Sequence, residues 1–177
     1  MKRRLREILL AKSVILGKEF RLSSGKTSNF YVDARITTLD PEGAFLIGNL
    51  FLEMIKEFEV DSVGGYSIGA DPIVSSISLL SHISGNPIPA FIIRKTEKSH
   101  GTGKQIEGNF KTGDSVVLFD DVVTSGGSIL RGADVVRNAG GNILSIMSVI
   151  DREEGGRELI EAAGYKFYSI FLKKDLI

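Results

Sequence analysis

Apolar residues along the chain follow two spacings, one typical of helices and one typical of buried strands. A helical pattern begins after Asp40-Pro41-Glu42, which combines a capping aspartate, a proline at the first helical position and an acid in the first turn. Asp71-Pro72 repeats this start signal, and its helix is predicted to end near residues 85–87. Further helices are predicted over residues 3–16, 129–138 and 157–163.

Short, nearly continuous apolar runs separate these helices and predict strands. The predicted strands cover residues 61–66, 89–94, 116–121, 142–151 and 166–172, and residues 20–35 are irregular or strand-like around a turn. Strands that alternate with helices indicate βαβ units, and strands without a polar face fit a sheet covered on both sides. We therefore predict an α/β fold with a mainly parallel, twisted sheet and helices on both faces.

Four segments that are rich in polar or small residues follow predicted strands. They are SIGAD at 67–71, a polar stretch over 94–108, DDVVTSGGS at 120–128 and DREEGG at 151–156. In open α/β sheets, ligands bind beyond the carboxyl ends of the strands. Because all four segments fall on that edge, we expect them to form one site.

Composition narrows the class of protein. The 177 residues are 42% hydrophobic, include 22 basic and 22 acidic side chains, and contain no cysteine. One core is expected, the balanced charge argues against a nucleic-acid binder, and thiolate chemistry is excluded. The N-terminus lacks the uninterrupted apolar run of a signal peptide, and no segment approaches a membrane span. We expect a cytoplasmic protein that binds neither nucleic acid nor membranes.

Two adjacent acids, Asp120 and Asp121, end the predicted strand and precede a loop of small residues at 124–128. Two carboxylates suit a vicinal diol, while backbone N–H groups, hydroxyls and a helix N-terminus suit a phosphate. A ribose 5-phosphate combines both groups. The alternatives are a structural cap and turn, or a metal pair, which is weak without a nearby histidine. A P-loop at GKT (25–27) is excluded because Phe20 stands in place of its first glycine.

The stretch VVLFDDVVTSGGS resembles the phosphoribosyl-pyrophosphate (PRPP) motif of type I phosphoribosyltransferases. The resemblance implies that Asp120 and Asp121 hold the ribose hydroxyls and that residues 124–128 hold the 5-phosphate. The PRPP contacts it implies here are Asp120, Asp121, Val122, Val123, Thr124, Ser125, Gly126, Gly127 and Ser128.

Three further segments resemble orotate phosphoribosyltransferases. FRLSSGKTSNFYVDAR (20–35) is similar to the segment that meets the flat pyrimidine, and Arg152 of IDREEGG matches the arginine that meets the orotate carboxylate. A planar guanidinium suits a carboxylate because it donates two parallel hydrogen bonds. A surface ion pair of Arg152 with a neighbouring glutamate is the alternative. The orotate contacts implied are Ser24, Gly25, Lys26, Phe30, Tyr31, Thr124 and Arg152.

The third segment, RKTEKSHGTGKQIEG (94–108), is similar to the mobile catalytic loop of these enzymes. The leaving-group contacts implied are Arg94, Lys95, Lys98 and His100. The loop closes over PRPP, often in the site of a partner subunit, and its cations stabilise charge on the departing pyrophosphate. Lys98, His100 and Asp121 are therefore the expected catalytic residues.

The resemblance implies a complete set of expectations. These are transfer of a phosphoribosyl group from PRPP to orotate, Mg²⁺ carried on pyrophosphate without a protein metal site, and a homodimer in which loop 95–109 completes the neighbour's site. Residues 1–38 would form an N-terminal hood, and residues 39–177 a PRPP-binding core. Two departures are Ser23 and the lysine-free SIGAD turn, at positions where many relatives carry lysine. The alternatives are a purine or uracil phosphoribosyltransferase and a PRPP-sensing regulator without catalysis.

Overall fold

A computed structural model describes residues 1–21, 27–96 and 105–177. Its strands are β1 (Val14–Arg21), β2 (Thr27–Val32), β3 (Ser62–Tyr66), β4 (Ala90–Ile93), β5 (Ile106–Gly108), β6 (Ser115–Val123), β7 (Asn142–Asp151) and β8 (Phe167–Leu172). Its helices are α1 (Lys2–Lys12), α2 (Arg35–Thr38), α3 (Pro41–Ile55), α4 (Asp71–Ile83), α5 (Gly127–Asn138), α6 (Gly156–Ala162) and a 3₁₀ helix (Lys173–Leu176). None of the described helices is both long and apolar enough to span a membrane.

Six strands form the main sheet, in the order β5-β4-β3-β6-β7-β8. Strand β5 pairs antiparallel with β4 at one edge, and the pairs from β4 to β8 are parallel. The carboxyl ends of β3, β4, β6, β7 and β8 therefore meet at one edge, as the sequence predicts.

Helices cover both faces of this sheet, because the strands are apolar on both sides. Along β6, Val117 and Phe119 join a core with α1, α3 and α4, while Val116 and Leu118 join a second core with α5 and α6. The ring of Phe51 in α3 packs edge-on against Phe119, with centroids 4.7 Å apart. The predicted α/β fold is confirmed.

The N-terminal segment lies on the first of these cores. Strands β1 and β2 pair antiparallel, with Val14 opposite Val32. Leu5 and Leu9 of α1 are fully buried in the same cluster as Phe30 of β2. This packing brings the start of the chain to the edge where the parallel strands end.

The helix-start signals are confirmed, but they differ in how they cap. Asp40 caps α3, since its Oδ1 accepts hydrogen bonds from the backbone N–H groups of Glu42 and Gly43. Helix α4 begins at Asp71, yet this carboxylate accepts from the Ser67 hydroxyl at 2.7 Å and makes no cap. Asp71 thus ties the loop after β3 to the helix that follows.

Two boundaries predicted from sequence are wrong, and one strand was not predicted. Helix α1 ends at Lys12, because the β-branched Val14 and Ile15 pair with β2. Strand β6 continues past the aspartates to Val123, because it still pairs with β7 there. The polar stretch contains strand β5, whose Ile106 pairs with Ile93 of β4.

Candidate active site

A cavity of about 920 Å³ opens at the carboxyl edge of the parallel strands. Its walls are the end of β2 with residues 33–35, the loop after β3 (67–69), residues 120–129, and residues from the ends of β4, β7 and β8. The polar segments found in the sequence therefore do meet in one place. This volume suits a ligand of small-molecule size.

The acidic pair lies where β6 extends beyond its neighbour β3. The pairing of β6 with β3 reaches Phe119, whereas its pairing with β7 continues to Val123. Both Asp120 and Asp121 therefore line the cavity even though the strand does not end at them. Their carboxylates also fix the local backbone, since Asp120 Oδ1 accepts from Asp121 N at 2.9 Å and Asp121 Oδ1 from Val122 N at 2.8 Å.

Asp120 carries an unusual proton affinity. Removal from water, and then repulsion by the Asp121 carboxylate, raises the pKa of Asp120 well above its usual range. Perturbed carboxyl groups in a cleft are typical of functional sites. The pair therefore resists carrying two full negative charges and can offer both an acceptor and a donor to neighbouring hydroxyl groups.

The loop after β3 approaches the acidic pair closely. A Cβ atom on Gly69 would lie 2.5 Å from Asp121 Oδ1, so no larger residue fits without moving that carboxylate. Ser67, Ile68 and Gly69 line the cavity beside Asp121. Among these loop residues there is no cation, which confirms the departure noted in the sequence.

Residues 124–128 are the predicted phosphate-binding loop, and all five line the cavity. Gly126 has φ +77° and precedes α5, a conformation that favours glycine. A Cβ atom on Gly156 of α6 would lie 2.6 Å from Thr124 O, so glycine there lets α6 pack directly under the loop. The N-terminal turn of α5 thus faces the cavity with its N–H groups available to an anion.

Arg152 lies at the far end of β7 and is buried, with its side chain 8% exposed. Its Nη2 lies 2.9 Å from Glu154 Oε1 and 3.5 Å from the backbone oxygen of Phe30, while its buried Nε has no hydrogen-bond partner among the described residues. The alternative of an ion pair is thus observed with Glu154, but the guanidinium lines the cavity and keeps an unused donor.

A buried carboxylate shapes the turn that carries Arg152. Asp151 is 1% exposed and accepts from Glu153 N at 2.9 Å and from Arg157 Nε at 3.1 Å. Glu153 has φ +55°, a left-handed conformation that is uncommon for a residue with a side chain. Strain held in this way by surrounding contacts is common at functional sites.

Two further cations, which were not predicted from the sequence, line the cavity. Arg35 donates to both carboxylate oxygens of Asp33, at 2.8 and 2.9 Å, and lowers the pKa of that acid. Lys173 begins the 3₁₀ helix after β8, with Nζ 3.6 Å from Glu154 Oε1. Neither has a local motif, because each reaches the cavity only through the tertiary fold.

The remaining predicted site residues occupy different places. Lys95 lines the cavity, whereas Arg94 pairs with Glu107 of β5 at 3.4 Å. Phe30 is buried beneath Arg152 and Lys173, whose cationic groups lie 5.8 and 5.5 Å from its ring centroid, and Tyr31 is half-buried. The five that lie outside the described residues are Ser24, Gly25, Lys26, Lys98 and His100.

Within residues 1–21, 27–96 and 105–177, no three His, Asp or Glu side chains lie together in a way that could hold a metal ion. The carboxylates that line the cavity fit a different mode of binding. Mg²⁺ is commonly held by one or two carboxylates together with the phosphates of a substrate. In that mode the phosphates of the substrate are the main ligands, and Asp120 and Asp121 are carboxylates that line the same cavity.

A carboxyl pair followed by a loop of small residues and a helix N-terminus, at the carboxyl edge of a parallel sheet covered by helices, is the arrangement expected of a type I phosphoribosyltransferase. Comparison with proteins of known structure agrees. The orotate phosphoribosyltransferase of Mycobacterium tuberculosis in complex with Fe(III) dicitrate superposes with a TM-score of 0.87 at 37% identity, covering 99% of this chain and 98% of that one. Its complex with PRPP gives 0.83 at 34% identity, with 99% and 98% covered.

Comparison of sequences identifies the family. The orotate phosphoribosyltransferase of Aquifex aeolicus is 46% identical over 158 residues, 89% of this chain and 86% of that protein. The corresponding protein of Pyrococcus horikoshii is 39% identical over 178 residues, covering 99% and 93%. No protein-family model matches. This chain belongs to the orotate phosphoribosyltransferase family.

Proposed function

We infer that this enzyme transfers the phosphoribosyl group of PRPP to orotate, giving orotidine 5′-phosphate and pyrophosphate in pyrimidine synthesis. One observation carries the inference: a single cavity holds an acidic pair, a phosphate cradle and a buried arginine with an unused donor. These groups match, in turn, the ribose, the 5-phosphate and the carboxylate of the acceptor base.

The phosphate cradle and the acidic pair position PRPP. The N–H groups of residues 124–128 at the start of α5 bind the 5-phosphate, with hydroxyls from Thr124, Ser125 and Ser128. Asp120 and Asp121 accept hydrogen bonds from the two ribose hydroxyls, and Val122 and Val123 link them to the cradle. The ribose is thereby held between two fixed anchors, which orients C1 toward the base.

Cations neutralise the leaving group. Lys95 lies on the cavity wall beside the loop after β3, and Arg94, Lys98 and His100 belong to the same segment. Arg35 adds a positive charge near Asp121, in a part of the site where the SIGAD loop has no lysine. Mg²⁺ carried on the pyrophosphate of PRPP would add positive charge beside its oxygens, next to the carboxylates of Asp120 and Asp121 in the same cavity.

The base binds at the end of the cavity formed by Arg152, and Ser24, Gly25, Lys26, Phe30, Tyr31 and Thr124 are the other residues assigned to it. N1 of orotate attacks C1 of the ribose as the C1–O bond breaks, and pyrophosphate leaves with the bonding electrons. Orotate reacts as its N1 anion, having released the N1 proton to solvent before the C1–N1 bond forms, so the chain need not supply a general base. The segment that joins Lys95 to β5, in its expected role as the catalytic loop, excludes water from the electron-poor C1.

We also propose that the enzyme is a cytoplasmic homodimer in which residues 1–38 form a hood over the site. Large apolar side chains remain more than half exposed on α3 and α4, namely Phe45, Leu79 and Ile83. The two helices pack tightly, since a Cβ atom on Gly48 would lie 2.6 Å from Leu80 Cδ1. Such apolar surface fits an interface between two copies. The loop of one subunit would then complete the neighbour's site.

The function is tested by following the absorbance of orotate with purified protein, PRPP and Mg²⁺. We expect absorbance to fall only when PRPP is present, and Lys98→Ala to lower kcat about 100-fold, which is typical for removal of one group that stabilises transition-state charge. Lys111→Ala, an exposed lysine outside the cavity, serves as the matched control. No loss of orotate would contradict the assignment.

A further inference from the structure

The base end of the cavity contains two cations around one carboxylate. Glu154 Oε1 lies 2.9 Å from Arg152 Nη2 and 3.6 Å from Lys173 Nζ. The charged groups of Arg152 and Lys173 also lie over the same ring, Phe30, within 6 Å of its centroid. The two cations therefore share one acid and one aromatic support.

Arg152, Glu154 and Lys173 together carry a net positive charge, in a part of the cavity that is partly withdrawn from water. The side chains of Arg152, Glu154 and Lys173 are 8%, 26% and 29% exposed, and all three line the cavity. Among the described residues, Arg152 Nε has no acceptor. Because a net positive charge that is partly withdrawn from water is costly, the site favours one more acceptor that carries negative charge.

A carboxylate meets both requirements. It would bring the group of four charges to neutrality and supply an acceptor for Arg152. Glu154 holds the two cations in place until that carboxylate arrives. Lys173 is less exposed than its neighbour Lys174, whose side chain is 65% exposed and pairs with Glu153 at 3.7 Å.

We propose that Lys173 is a second specificity-determining cation, which acts with Arg152 to select an acceptor base that carries a carboxylate. This inference rests on the proposed function and deepens it. Lys173 stands 21 residues beyond Arg152 in the sequence and reaches the site from the end of β8, so two separate strands supply the two positive charges.

The test compares the binding of two nucleotides that differ by one carboxylate, orotidine 5′-phosphate and uridine 5′-phosphate, by titration calorimetry. Lys173→Met keeps the apolar stem over Phe30 and removes the charge. We expect this variant to bind orotidine 5′-phosphate about tenfold more weakly, which is the effect of losing one charged contact. Its affinity for uridine 5′-phosphate should be unchanged. Lys173→Arg should retain most of the preference, and Lys174→Met should retain all of it.

Steady-state kinetics give a second readout. The KM of orotate should rise in Lys173→Met while the KM of PRPP stays constant, and equal melting temperatures would show that the variant folds. Equal weakening of both nucleotides, or none of either, would overturn the role of Lys173. If the unaltered enzyme consumes orotate, such a result removes this inference alone. If the unaltered enzyme neither consumes orotate nor prefers the carboxylated nucleotide, the proposed function fails and this inference with it.

Discussion

Among single residues, Asp120 departs furthest from its ordinary chemistry. Burial and the adjacent Asp121 raise its pKa, so the folded protein binds this proton more tightly than the unfolded chain does. The stability of the fold therefore falls as pH rises from the usual carboxyl value of 3.8 toward the raised pKa. The adjacent acids therefore reduce the stability of the fold. Functional sites commonly carry residues that lower stability when ligand binding requires them.

Asp120→Asn should remove the loss of stability that comes from burying a charged Asp120. The asparagine Oδ1 can still accept a hydrogen bond from Asp121 N, but the side chain carries no charge, so we expect a higher melting temperature at neutral pH. The gain should shrink as pH falls toward the usual carboxyl value of 3.8 and disappear at about pH 3 or below, where the carboxyl is protonated in both states. Thermal unfolding across this range measures it, with the exposed Asp134→Asn as control.

Asp120→Asn should also bind PRPP more weakly. The amide has one oxygen that can accept a hydrogen bond from the ribose, and it is a weaker acceptor than either of the two carboxylate oxygens. A variant that is less stable at neutral pH than the unaltered protein would contradict the account of the acidic pair. A variant that is more stable but binds PRPP equally well would show that Asp120 does not contact the ribose.

Among the elements, the turn between β6 and α5 depends on its glycine. Gly126→Ala would hold alanine at φ +77° and place its Cβ 3.0 Å from Gly156 O, beside the phosphate cradle. We expect a loss of about 1–2 kcal/mol in the free energy of unfolding and a clear rise in the KM of PRPP. Chemical denaturation and initial rates measure the two effects.

Gly113→Ala provides the matched control. Gly113 also has positive φ, +95°, but a Cβ there meets nothing within 4 Å and lies outside the cavity. It should lose similar stability without any change in KM. A rise in KM for both variants would mean that the effect reflects general instability and not the cradle.

Elements whose residues are buried in a regular pattern could be predicted from the sequence. Strand β7 has the predicted bounds, 142–151, because it is apolar on both faces between two polar turns. Strand β5 was missed because only Ile106 is apolar and the rest pair at a sheet edge. The extension of β6 through Val123 was missed because it depends on pairing with β7 alone.

The site was predictable where it is local in sequence. Residues 120–128 form one continuous motif, and the structure places all of them on the cavity. Arg35 and Lys173 have no such pattern, since their positions depend on the hairpin and on the end of β8. Phe30 was predicted to stack on the base, but its burial beneath two cations shows a contribution to their support that a sequence cannot reveal.

For the whole molecule, the proposed dimer makes the two sites interdependent. Mixing Lys98→Ala protein with Arg152→Ala protein allows subunits to exchange into hybrid dimers. If the loop acts in the neighbour's site, one of the two sites in each hybrid has both an intact loop and an intact base pocket. Since about half of the dimers are hybrids after random exchange, activity should then recover to about a quarter of normal. Sedimentation would establish the dimer, and the absence of recovery in a confirmed hybrid would place the loop in its own subunit.

The central claim, that the acceptor is orotate, is tested most directly by competition. Orotate, uracil and hypoxanthine at equal concentrations, with limiting PRPP and Mg²⁺, are followed together by chromatography while released pyrophosphate is measured. We predict that orotate alone is consumed, with one pyrophosphate released for each orotidine 5′-phosphate formed. Consumption of uracil or hypoxanthine in preference to orotate would contradict the account, because the positive charge around Arg152 would then have no carboxylate to select.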